Sequence, residues 1–144
     1  MKSILLSLLF ILAGACANTI YAQDIQTYSI EKSILTNLEE TEVYENLKAT
    51  GNVSINFKQK NYLVKIAFED APNDYYTIKG TLKKNEPVYF KDADVKEEMI
   101  YSCSIIMDDE VDNGNICIEK LYNGDIIISF LSNNSGTIRS IYVK

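Results

Sequence analysis

The stretch from Cys103 to Cys117 concentrates the residues of this chain that could do chemistry. It reads CSIIMDDEVDNGNIC, with Asp108, Asp109, Glu110 and Asp112 and an Asn113-Gly114 step between two thiols fourteen positions apart. Two chemistries fit these residue types. Cys103 and Cys117 can oxidise to a disulfide that staples a turn, the usual fate of a cysteine pair in an exported chain. Alternatively Asp108, Glu110 and Asp112 can offer oxygen ligands to calcium, which takes carboxylates at fixed offsets around a sharply bent glycine. With Asp108 first in such a loop, Glu110 falls third, Asp112 fifth and Glu119 twelfth, but Asn113 takes the sixth position, where glycine is needed. Moving the frame to put Gly114 sixth leaves Val111 third and Lys120 twelfth. The disulfide is the expectation and calcium the alternative.

Other chemistry is excluded by what is missing. The chain has no His and no Trp, which removes the commonest general base and every Ser-His or Cys-His nucleophile. Two cysteines without histidine make a poor zinc set. The six glycines are scattered and form no phosphate-binding loop, so no cofactor is expected. A carboxylate pair could still run glycoside hydrolysis, but twenty acidic residues place some pair close together by chance. A non-enzymatic protein follows. The ten tyrosines point toward binding instead, because Tyr couples a large contact area to a polar tip. Tyr62, Tyr76 and Tyr101 are the candidates, and they compete with a plain reading as strand residues of a core.

The elements that must position these groups are strands. From residue 52 onward, alternating apolar runs are separated by turn signals at short, even spacing, the mark of an antiparallel sandwich or barrel. NVSINF and YLVKIAF form a hairpin whose apolar faces match when Phe57 opposes Tyr62 and Val53 opposes Ile66. YYTIKGTL, a short VYF run, MIYSCSIIM, ICIEKLY, DIIISFL and TIRSIYVK complete about eight strands. Asn123-Gly124 predicts a two-residue hairpin with Tyr122 facing Asp125. The expected fold is an all-β antiparallel meander, either a lipocalin-like barrel or a sandwich. Ile34, Leu35 and Leu38 lie at helical spacing before Gly51, which predicts a short helix within residues 23–51, preceding a β domain over residues 52–144.

In the acidic hairpin the two signals disagree by one residue. A bridge sets Cys103 opposite Cys117, whereas apolar matching sets Cys103 opposite Ile118. Either a β-bulge beside the acidic tip absorbs the difference, or both faces of the sheet are partly buried.

The N-terminus, MKSILLSLLFILAGACANTIYAQ, reads as a signal peptide over residues 1–22, one Lys before a largely apolar run that is too short to span a bilayer. A lipid anchor at Cys16 is the alternative to cleavage after Ala22. Formal net charge is −6, with no block of Lys or Arg, so neither nucleic acid nor an anionic membrane is an expected partner. The YAQ ending of the signal, the NVSINF and YLVKIAF hairpin, and the run from the paired cysteines to SIYV resemble small exported β-proteins of Bacteroidetes. That resemblance implies an all-β fold and a periplasmic or extracellular location, and it transfers no catalytic residue. The functional expectation is an exported β domain that binds a protein partner or a small apolar ligand, with a calcium-stabilised surface or adhesion module as the alternative and a small carboxylate-based hydrolase third.

Overall fold

Eight strands joined in chain order close on themselves in the computed structural model, which describes residues 24–144. The expected signal segment and Cys16 lie outside the described residues. The strands are β1 (Ile25–Asn37), β2 (Val43–Asn56), β3 (Asn61–Phe68), β4 (Tyr76–Glu86), β5 (Val95–Met107), β6 (Glu110–Leu121), β7 (Ile126–Ser132) and β8 (Thr137–Val143). Each pairs antiparallel with its sequence neighbour, and β1 pairs with β8 to complete an up-and-down barrel. Of the two architectures the sequence allowed, the barrel is the one formed.

Alternation explains the wall. Val53 and Ile55 on β2, Val64 and Ile66 on β3, Ile116 and Ile118 on β6, Ile128 on β7 and Ile141 on β8 are each at most 1% exposed, and together they form the interior. The residues between them face out. A barrel of eight strands has an interior that side chains can fill, or that can hold one small ligand.

The expected helix does not form, and no helix is present among the described residues. Residues 25–37 are β1, and Gly51 sits within β2 at φ +127°, where an added Cβ would lie 1.9 Å from the Lys65 carbonyl oxygen. Helical spacing of Ile34, Leu35 and Leu38 lost to the pairing of β1 with both β2 and β8, which satisfies its backbone on two sides. The VYF run is not a strand either. It belongs to the connection between β4 and β5, with Tyr89 and Phe90 83% and 93% exposed. The count of eight survives because β1 takes its place.

Three registers differ from expectation, each for a local reason. In the hairpin of β2 and β3, Val53 opposes Val64 and Ile55 opposes Tyr62. The turn starts one residue early because Asn56 Oδ1 accepts the Gln59 amide at 2.9 Å and Lys60 takes φ +54°. The faces are unchanged. Between β6 and β7 the loop holds three residues, closed by Leu121 and Asp125, with Gly124 at φ +96°. This type of loop shifts pairing by one residue, so Ile118 opposes Ile128 and Ile116 opposes Phe130 inside the barrel.

The third difference settles the acidic hairpin. Asp108 and Asp109 both have positive φ and form a two-residue turn, from which β5 and β6 pair without interruption between Met107–Glu110 and Glu97–Lys120. Cys103 therefore opposes Gly114, and Cys117 opposes Ile100. The expected disulfide is absent, and both cysteines are free. They are three register positions apart, about 10 Å along the strand, and they project to opposite faces of the wall. The bulge expected beside the acidic tip is absent too; the irregularity in this pair lies at the other end, between Val95 and Glu97.

Candidate functional site, an apolar cup at one end of the barrel

The two ends of the barrel are closed to different degrees. One end carries the loops 57–60, 87–94 and 122–125, and its interior is filled by large side chains. Phe57 and Tyr101 rings lie 5.9 Å apart there, and Tyr28, Met99 and Ile126 pack on the same core. The other end carries the turns 38–42, 69–75, 108–109 and 133–136 and opens into a cup. Two lobes of about 640 and 370 Å³ share Ile78, Met107 and Arg139. Leu35, Ile105 and Phe130 wall the larger lobe, and Leu47, Ile66 and Phe68 the smaller. These volumes suit a small organic ligand.

Arg139 is the chain's single arginine, and it stands in phase with the buried Ile141 and Val143 on the inward row of β8. Its guanidinium donates to Glu45 Oε2 at 3.2 Å and to Ser33 Oγ at 2.9 Å, and lies 5.7 Å from the centre of the Phe68 ring. A half-buried cation needs such partners, since desolvation without them would cost several kcal/mol. Ser33, fully buried, has this contact as the partner of its hydroxyl. Arg139, Glu45 and Ser33 come from β8, β2 and β1, and only barrel closure brings these three strands together.

The larger lobe also holds an inward carboxylate. Asp112 on β6 opposes Ile105 and faces the same cup. Partial desolvation raises its pKa, but hydrogen bonds from Ser132 Oγ and from the amides of Asn134 at 3.2 Å and Asn113 at 2.6 Å outweigh that, leaving the carboxyl below the usual range. Asp112 is therefore a fixed anion at neutral pH, and it also ties β6 to the turn after β7.

The candidates from the sequence are placed unevenly. Tyr76 lines the smaller lobe, its ring 5.8 Å from Phe68. Tyr62 is buried; its hydroxyl donates to the Ser104 carbonyl at 2.7 Å through the notch left by Gly80, and its ring packs 5.3 Å from Phe130. Tyr101 belongs to the filled end. Of the calcium candidates, Asp108 forms the turn, Glu110 lines the cup, and the oxygens of Asp112 accept the three hydrogen bonds above.

Among the described residues, one group of three possible metal ligands lies within 4.8 Å, namely Glu98, Cys117 and Glu119 on the outer face of β5 and β6. Cys117 Sγ donates to Glu98 Oε1 at 3.3 Å, and its pKa is raised by burial first and then by that carboxylate. The inner thiol, Cys103, is pushed up to about 11 by burial. Neither environment favours a reactive thiolate.

Sequence reasoning missed Arg139, Glu45 and Ser33. The signal for Arg139 was present in TIRSIYV, where alternation puts the arginine on the face of Ile141 and Val143. No protein-family model matches the chain, and neither a curated protein nor a solved structure matches it.

Proposed function

We propose that the protein is an exported, non-enzymatic β-barrel that holds a small apolar ligand in the cup. The cup itself carries this reading: one end of the interior is filled by packed side chains, while the other leaves two adjacent, largely apolar lobes beneath an open mouth. Export rests on the signal-like character of residues 1–22.

Titration of a neutral, environment-sensitive apolar dye against the wild-type protein and Ile78→Trp tests it. Ile78 borders both lobes, so the indole fills the space in which they meet. Saturable one-to-one binding by the wild type, weakened about tenfold or more in Ile78→Trp at an unchanged far-UV spectrum, is the expected result. A dye that does not saturate, or that binds both proteins alike, sinks the proposal.

A second reading, docking of a protein partner, is favoured by the opposite end. There Tyr89, Phe90 and Tyr122 are exposed on loops joined by the hydrogen bond from the Tyr122 amide to the Asp94 carbonyl. Tyr and Phe are typical interface anchors. A pull-down that loses its partner on Tyr89→Ser/Phe90→Ser, with dye binding unchanged, would support this second site.

A further inference from the structure

The charges that line the cup indicate which apolar ligand it takes. Five carboxylates, Glu45, Asp70, Asp108, Glu110 and Asp112, and one guanidinium, Arg139, border the two lobes. Arg139 is committed to Glu45 and Ser33, so an incoming anion would have to break that ion pair and would still face the other four carboxylates. None of the ion pairs among the described residues involves Asp70, Asp108, Glu110 or Asp112. Below this charged mouth the walls are aliphatic and aromatic, and the exposed apolar groups of Tyr76, Met107 and Val111 extend them to the rim.

From this arrangement we infer that the cup selects amphiphiles with a positively charged head, an amine on an apolar body, with the body between Ile78, Ile105 and Phe130 and the head at Asp112 and the rim carboxylates. Complementarity of charge favours that class twice. The head donates a charge-assisted hydrogen bond to a carboxylate that is already ionised and held in place, and the acidic mouth raises the local concentration of cations. A carboxylate head on the same body is repelled by the carboxylates of the mouth and reaches Arg139 only by displacing Glu45. The inference rests on the cup being a ligand site, and the test separates the two claims.

Displacement of the neutral dye by octylamine, octanol and octanoate, at low and high salt, provides the comparison on the wild-type protein, which needs no variant to fold. Octylamine should displace the dye at about one tenth of the octanol concentration, and octanoate should be the weakest. Raising the salt should erode only the advantage of the amine. Asp112→Asn should remove most of that advantage, read as the ratio of amine to octanol displacement within the same variant. Because Asp112 also ties down the 133–136 turn, Asp108→Asn/Glu110→Gln provides a second variant and should reduce the same advantage. Octanoate binding as tightly as the amine, or amine and alcohol binding alike, overturns the head-group inference while the cup stands. If none of the three displaces the dye, the cup and the inference built on it both fall.

Discussion

The inward rows of β6, β7 and β8 change character along their length, and the change divides the molecule. Towards the filled end they read Ile116 and Ile118, Ile126 and Ile128, Ile141 and Val143; towards the cup they read Gly114 and Asp112, Phe130 and Ser132, Arg139 and Thr137. β6 with β7 and β7 with β8 pair without a register shift over their shared length, so the ladder does not explain the contrast. Side-chain volume and polarity do. The filled end spends its inward positions on burial, and the cup end spends them on a half-buried ion pair, a capped carboxylate and empty space. Stability should therefore concentrate at the filled end.

The sharpest way to break that contrast is to truncate one isoleucine at each end. Ile118→Ala should cost about 2–5 kcal/mol in urea unfolding, because Ile118 is enclosed and the hole cannot collapse. Ile105→Ala, beside existing space, should cost less than half as much. Equal costs would mean that the cup wall is as rigidly packed as the core. Next in size, Arg139→Met should destabilise the fold by roughly 1–3 kcal/mol, since Ser33 loses its donor and Glu45 its cation. Adding Glu45→Leu should recover part of the loss, because it removes the carboxylate left without its cation in this half-buried pair.

Acid provides a subtler probe. The folded-state pKa of Asp112 lies below its ordinary value, so its ionised form stabilises the fold above the unfolded-state value, and this contribution is lost as the pH falls through the folded-state value. The stability gap between wild type and Asp112→Asn should be constant near neutrality and shrink below about pH 4. A gap independent of pH would place the role of Asp112 elsewhere. The smallest effect is expected from reductant. Dithiothreitol should leave the melting temperature of a chain lacking residues 1–22 unchanged, and Cys103 and Cys117 should both label in urea without it. A reductant-induced fall of several degrees would restore the staple, which would contribute roughly 3 kcal/mol.

Legibility followed the physical origin of each feature. Fold class was readable because alternation, strict in NVSINF, reports burial of one face directly. Register was less readable. It depends on turn geometry, and a single residue in the loop after Leu121, or positive φ at both Asp108 and Asp109, moves every pairing that follows. The disulfide expectation failed for that reason alone: a spacing of fourteen is compatible with a bridge only in one register. The cup was barely readable, since Arg139, Glu45 and Ser33 are more than ninety positions apart at the extremes and meet only through the pairing of β1 with β2 and β8. Tyr76 was found through its residue type, and the same criterion also selected Tyr62 and Tyr101, which serve the wall and the filled end.

The seam between β1 and β8 also sets a timetable. Every other pairing joins neighbours in sequence, so seven hairpins can form as the chain emerges, but the cylinder needs Ile30–Asn37 to meet Thr137–Val143. That contact has the largest loop-closure cost in the molecule and is the slowest kind to form. Until it does, β1 and β8 are bare edges, the feature by which strands recruit one another between chains. Dilution, or a holder that shields those two edges, should then govern the yield of refolding more than any contact within the hairpins.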